Sequence, residues 1–213
     1  MSEPKKIAVI GAGNVGGTLG AGWAKTGHSV VFGVRKPDSA ETTQALEGAG
    51  HSSRAASPAE AAKSCEIVAL AVPWPAAREA VASLGNLSGK VLLDCTNPST
   101  QWPEMDHEKG KSGGEQVASW AQGAHVVKIF NTTGFGNMAN PIYPGAALTM
   151  FYAGDHADSK KVAHQLAADL GFDPQDIGPL RGAFVLEELA SLWGLLAMGQ
   201  GLGMGIGFHL LRR

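Results

Sequence analysis

Apolar residues in this chain gather in short unbroken runs. Lys6 to Ile10, Val30 to Val34, Ile67 to Val72, Val91 to Cys95, His125 to Phe130 and Thr149 to Ala153 are rich in β-branched side chains, and polar positions do not alternate through them. Strands that read this way are buried on both faces. Between them the chain becomes alanine-rich: Asn14 to Thr26 and Pro75 to Leu84 have helical composition, and Ser57-Pro58-Ala59-Glu60 is a capping box with proline at the first helical position. Asp155-His156-Ala157-Asp158 opens a further helix that runs to Leu170 and ends at Gly171. Ser112-Gly113-Gly114-Glu115 repeats the capping signal ahead of a helix around Val117 to Ala121. The polar stretch Pro98 to Gly114, with Pro103 and three glycines, reads as a surface loop placed to act as a lid over a cleft. Repeated strand-helix-strand order predicts an α/β fold with a doubly wound parallel sheet.

Beyond Leu180 the alternation stops. Phe184, Leu186, Leu189, Leu192, Trp193 and Leu196 recur at helical spacing, and Glu187 and Glu188 fall near the start, where a helix dipole favours anions. Residues 181–213 are therefore read as a small C-terminal helical tail packed on the cleft or against a second copy, following a main domain of residues 1–180. Within it, Leu189 to Phe208 carries no charge and approaches the length of a spanning helix. Its six glycines, each costing roughly 1 kcal/mol of helix stability, favour a buried or dimer-interface segment, so no membrane association is expected.

The balance of 17 basic against 19 acidic side chains gives a net charge of -2, too weak a field to draw nucleic acid or an anionic membrane. The partner expected is a small molecule. Cys65 and Cys95 lack metal-ligand spacing and read as reduced, buried thiols of a cytoplasmic protein. The start, MSEPKKIAVIG, has a lysine pair and a short apolar run ending in glycine, so it reads as a first strand and not as a signal peptide. The seven histidines are scattered, and no Ser-His-Asp set, carboxylate pair or metal cluster stands out. No catalytic side chain and no metal ligand are nominated.

Chemistry instead gathers at the ends of the strands. Gly11-Ala12-Gly13-Asn14-Val15-Gly16 has G-x-G-x-x-G spacing, directly after one predicted strand and directly before a helix. Gly11 permits the tight turn, Gly13 lets backbone approach a pyrophosphate, Gly16 allows close helix-strand packing, and the helix N-terminus at Asn14 and Val15 supplies amide donors. That context marks a Rossmann dinucleotide site. The second strand then ends in Val34-Arg35-Lys36, where binders of the unphosphorylated cofactor place a carboxylate on the ribose diol. A planar guanidinium and an ammonium suit a 2′-phosphate instead, so NADP is expected over NAD. The third, fourth and fifth runs end in Ala71-Val72-Pro73-Trp74, Thr96-Asn97-Pro98 and Asn131-Thr132-Thr133. Pro73 and Trp74 are placed to wall the nicotinamide, and Asn97 and Asn131 to orient its carboxamide or ribose. Hydride transfer needs little more from the protein than alignment and exclusion of water.

These residues together resemble the NADPH-dependent reductases of the deazaflavin coenzyme F420. The likeness rests on GAGNVG at 11–16, the G-x-R-K stretch at 33–36, AVPW at 71–74, DCTNP at 94–98, VVKIFNTTGFGNMANP at 126–141 and GFDPQDIGPL at 171–180. It implies a dimeric Rossmann protein that passes hydride between NADPH and the deazaflavin without a covalent intermediate. By position, Arg35 recognises the 2′-phosphate, Asn14 and Val15 contact pyrophosphate, and Trp74 and Pro73 border the nicotinamide. The family commonly shows a hydroxyl residue before the arginine and another in the glycine turn, where this chain has Val34 and Ala12. NADP selectivity then rests more heavily on Arg35 and Lys36. Two other readings share the same cleft: a reductase of FMN, FAD or ferric iron similar to the cytoplasmic domains of the STEAP metalloreductases, and a non-catalytic NADP sensor.

Overall fold

All six apolar runs become strands in the computed structural model, which describes residues 3–213. Strands β1 (Lys6–Ile10), β2 (Ser29–Gly33), β3 (Ser53–Ala56), β4 (Ile67–Leu70), β5 (Val91–Asp94) and β6 (His125–Lys128) lie parallel in the order β3-β2-β1-β4-β5-β6. A short hairpin, β7 (Ile142–Tyr143) and β8 (Ala146–Ala147), precedes β9 (Thr149–Gly154) and β10 (Asp173–Asp176), which extend the sheet beyond β6. Helices α1 (Asn14–Lys25), α2 (Ala40–Ala49), α3 (Pro58–Ser64), α4 (Trp74–Ala82), α5 (Gly113–Trp120), α6 (Phe135–Ala139), α7 (Ala157–Asp169) and α8 (Ala183–Gly194) complete the α/β layers.

β1 shows why the sheet is covered on both sides. Ile7 and Val9 pack with Trp23, Phe32 and Phe130 on one face, while Ala8 and Ile10 pack with Val68, Val81 and Leu92 on the other. Both capping boxes form: Ser57 and Ser112 each accept from a backbone amide three residues on, and Glu60 and Glu115 reach back. Asp155 is not a cap as its spacing suggested; its Oδ1 accepts from Leu180 N at 2.9 Å, fastening the end of β9 to the start of the C-terminal segment.

Three features depart from the sequence reading. The sheet is not wholly parallel, because β9 pairs antiparallel with β6. The link between them holds only the five-residue α6 and the hairpin, too little for the covering crossover helix that a parallel neighbour needs. Strands β3 (SRAA) and β10 (DPQD) are edge strands whose polar, partly exposed residues give no apolar run, and Pro174 is tolerated at an edge. The tail is helical only through a π turn at Leu195–Gly199. From Gln200 onward it is irregular, with Gly201 and Gly203 at φ +69° and +81°, a backbone region few other residues adopt. Trp193 Nε1 and Asn137 Nδ2 both donate to the Ile206 carbonyl at 2.7 Å, and Thr149 N donates to the Phe208 carbonyl, so this strip is stitched to α6, α8 and β9.

Leu180–Gly199 is long and apolar enough, by length and composition, to cross a membrane. Its inner face is nevertheless committed to the protein: Ala183, Leu186, Glu187, Ala190 and Trp193 are buried. Val185, Leu192, Leu195 and Met198 form its exposed side.

Glu187 belongs to a fully buried charge cluster that joins four segments. Lys128 Nζ at the end of β6 lies 3.0 Å from Asp94 Oδ2, 2.9 Å from Glu187 Oε1 and 2.6 Å from the Thr96 carbonyl. Glu187 also accepts from Gly113 N and Gly114 N at the start of α5, and its Oε2 accepts from His107 Nε2 at 2.9 Å. The His107 ring stacks on Phe184. Burial disfavours the ammonium, but the Asp94 and Glu187 carboxylates together outweigh it and raise the Lys128 pKa above its ordinary value. Loop 98–112 is thereby pinned to the sheet and to α8, and Trp102 and Pro103 close on Gly194. Lys128→Met leaves two carboxylates buried without their cation. It is expected to lower unfolding free energy by about 3–5 kcal/mol in urea titration, and a loss below about 1 kcal/mol would contradict the assigned role.

Candidate functional site

The end of β1 is held on both sides before the chain turns. Gly11 N donates to the Gly33 carbonyl of β2, and Ala71 N donates to the Ile10 carbonyl, both within 3.1 Å. Gly11 sits at φ +99°, and a Cβ there would lie 2.5 Å from the Ala71 carbonyl oxygen. Gly16 is tighter still: its Cβ would come within 2.1 Å of the Gly11 carbonyl oxygen. Gly13 is different, because its Cβ would meet nothing within 4 Å. As N-cap of α1 it offers no side chain, and no acidic residue stands in the first turn. The amides at this helix start are therefore left to an outside acceptor.

β2 ends beside this turn. Val34 is buried with its amide on the Ala56 carbonyl, while Arg35 and Lys36 are exposed. Among the described residues neither cation has a side-chain hydrogen bond or ion pair. They stand at the edge of a cleft of about 520 Å³, within the range of small-molecule sites.

That cleft brings together Gly11, Gly13, Val34, Arg35, Lys36, Ala71, Val72 and Pro73. Asn14 and Val15 are the first residues of α1 beside it, and Gly16 is buried behind the turn. Trp74 does not line it: the ring leans against Trp120 of α5, with centroids 5.3 Å apart. Nor do Asn97 and Asn131, whose amides are used on each other. Asn97 Nδ2 donates to the Asn131 carbonyl, and Asn131 Nδ2 donates to Asn97 Oδ1 and to the Leu186 carbonyl, each at 3.0 Å. They lock β5, β6 and α8 together. Phe130, immediately before Asn131, is held at φ +62° with its ring buried against Trp23 and Phe172. Such a conformation costs on the order of 1–3 kcal/mol and persists where the surroundings enforce it.

Sequence reading missed the second wall, built by Ser39, Glu41 and Thr42 of α2 and by Pro58, Ala76 and Glu79. A serine ahead of Glu41 and the two threonines was the available signal, since Ser39 is the N-cap of α2 and accepts from Thr42 N. The two cysteines are free and buried as expected, and burial pushes the Cys95 thiol pKa far up. Among the described residues no cluster of His, Cys, Asp or Glu is arranged to hold a metal ion.

Residues 6–98, which contain the glycine turn and the cation pair, match the family model described as NADP oxidoreductase, coenzyme F420-dependent. Over this segment the chain is similar to that family. A solved structure of a provisionally assigned F420-dependent NADP reductase from Arthrobacter sp. FB24 is 29% identical, with a TM-score of 0.86 over 98% of this chain and 100% of its own. The rat metalloreductase STEAP3 is likewise 29% identical over 192 residues; these are 88% of this chain but 36% of that protein, so the chain spans about a third of this relative. A reductive aminase of Aspergillus terreus solved with NADPH is 20% identical, with a TM-score of 0.68 over 93% of this chain and 64% of its own, and shares the fold.

The contrast between the glycines of this turn is testable by thermal melts. Gly16→Ala forces backbone apart and is expected to cost more than about 3 kcal/mol. Gly13→Ala is expected to stay within about 0.5 kcal/mol of the parent. Equal melting temperatures for the two variants would contradict the close approach of α1 to the turn.

Proposed function

We propose that the protein is an NADP-dependent oxidoreductase that moves a hydride between NADP(H) and the deazaflavin coenzyme F420. One observation carries the cofactor half of this reading: two cations without a side-chain partner among the described residues, Arg35 and Lys36, after the end of β2 in the cleft of the glycine turn. The residues fit the group. Gly13 leaves room for a pyrophosphate beside the helix start, and the residues after β2 are Val34, Arg35 and Lys36 in place of a carboxylate that would bind a ribose diol.

Bound here, the nicotinamide supplies the hydride chemistry. The protein's part is to hold and to exclude. Amides of the α1 start bind phosphate oxygens, Arg35 and Lys36 bind the adenosine phosphate, and Val72 and Pro73 present an apolar wall that keeps water away. In this reading hydride transfer requires no titrating side chain. Buried reduced thiols at Cys65 and Cys95 suit the cytoplasmic setting of this reading.

The acceptor half rests on the family of residues 6–98 and on the Arthrobacter relative. A second reading, reduction of free flavin or of ferric iron through flavin, is favoured by an equal identity to STEAP3. Anaerobic oxidation of NADPH followed at 340 nm, with F420 in one arm and FMN or FAD in the other, separates them. Turnover with F420 is the expected result, and turnover with flavin alone would replace the first reading by the second.

Loss of the guanidinium tests the cofactor half directly. Arg35→Ala is expected to weaken NADPH by about 1.5–3 kcal/mol and NADH by less than about 0.5 kcal/mol in calorimetric titration. Equal weakening of both would contradict the role given to Arg35.

A further inference from the structure

Two hydroxyls at the adenosine end of the cleft are explained by neither the glycine turn nor the cation pair. Ser39 and Thr42 both line it. Ser39 Oγ caps α2 by accepting from Thr42 N at 3.3 Å, and it lies 3.0 Å from Thr42 Oγ1. Thr42 Oγ1 in turn donates to the Lys36 carbonyl at 3.1 Å. A carbonyl only accepts, so the direction of the chain is forced: the Ser39 hydroxyl donates to Thr42 Oγ1, and the Thr42 hydroxyl donates to the Lys36 carbonyl. Ser39 N adds a second bond to the same carbonyl at 3.2 Å. Thr42 is buried, whereas Ser39 is partly exposed at the mouth. This relay folds the loop that bears Arg35 and Lys36 onto the first turn of α2.

Resting on the reading of the cleft as an NADP site, we propose that Ser39 is a specificity-determining ligand of the 2′-phosphate and that Thr42 is a positioning residue for the cation loop. The relay begins with a donor free to turn. Thr42 Oγ1 is a neutral acceptor and a phosphate dianion is a stronger one, so the Ser39 hydroxyl turns to donate its hydrogen bond to the phosphate while its lone pair continues to cap Thr42 N. Thr42 retains its bond to the Lys36 carbonyl, which keeps the cation loop in place when Ser39 turns. Val34 and Ala12 line the same cleft without a side-chain donor, and Ser39 supplies one from the cap of α2. Glu41, exposed in the first helical turn and lining the same cleft, is an unfavourable neighbour for an anion, so the donors around it matter more.

Calorimetry on the whole chain with 2′,5′-ADP and with 5′-AMP isolates the added phosphate. Ser39→Ala is expected to weaken 2′,5′-ADP by about five- to tenfold and 5′-AMP by less than about twofold. Ser39→Asp preserves the cap, so its melting temperature stays at that of the parent. Its carboxylate is nevertheless expected to weaken 2′,5′-ADP by at least about 50-fold, which places the phosphate beside this cap, while the loss in Ser39→Ala assigns the donor. Thr42→Val is expected to weaken 2′,5′-ADP alone by about threefold, and an unchanged affinity ratio removes its positioning role. If both Ser39 variants keep the parent ratio of the two affinities while Arg35→Ala abolishes it, the Ser39 assignment is overturned and the NADP reading stands. A parent chain with no preference for 2′,5′-ADP overturns both.

Discussion

The architecture turns on one close approach of backbone to backbone. α1 can leave the sheet directly at the end of β1 only because Gly16 presents no Cβ to the Gly11 carbonyl, which it would meet at 2.1 Å. The same turn is bonded to β2 through Gly33 and abuts β4 through Ala71. Three strand ends and one helix start therefore converge within a few ångströms. Everything the cleft offers to an anion, including the uncapped amides of α1, follows from that convergence.

Opposite demands are met at the two ends of the sheet's carboxyl edge. At the β2 end, Arg35 and Lys36 are exposed and have no side-chain partner among the described residues. At the β5 and β6 ends, Lys128 is surrounded by Asp94, Glu187 and the Thr96 carbonyl and is fully buried. The first arrangement keeps positive charge available to a ligand. The second uses its charge to fix loop 98–112, α5 and α8 in place, and burying such groups is tolerable only because each has its counter-charge. His107, Asn97 and Asn131 extend this fixed region without contributing side chains to the described cleft.

Legibility from sequence followed the same division. Buried central strands and the glycine turn could be read because their signals are local: an unbroken apolar run, or glycines at fixed spacing beside a strand. β3 and β10 could not, since an edge strand of SRAA or DPQD has no continuous apolar stretch to declare it. Trp74, Asn97 and Asn131 were correctly placed at strand ends, but their directions depend on Trp120 and Leu186, partners dozens of residues away. The α2 wall was missed for a related reason, because Ser39 and Thr42 acquire meaning only when the helix they start is folded against the cation loop. The irregular strip after Gln200 was overwritten by the helical periodicity before it, although its alternating glycines marked the change.

The central claim is that an adenosine phosphate lies between a guanidinium and an ammonium at the end of β2. The most direct measurement is the phosphorus NMR shift of the 2′-phosphate of NADP+ in the presence of excess protein, followed from pH 8 to pH 5. Opposite charges favour the dianion, so the bound phosphate is expected to titrate well below the ordinary second pKa of about 6. A titration curve that superimposes on that of the free cofactor would contradict the account.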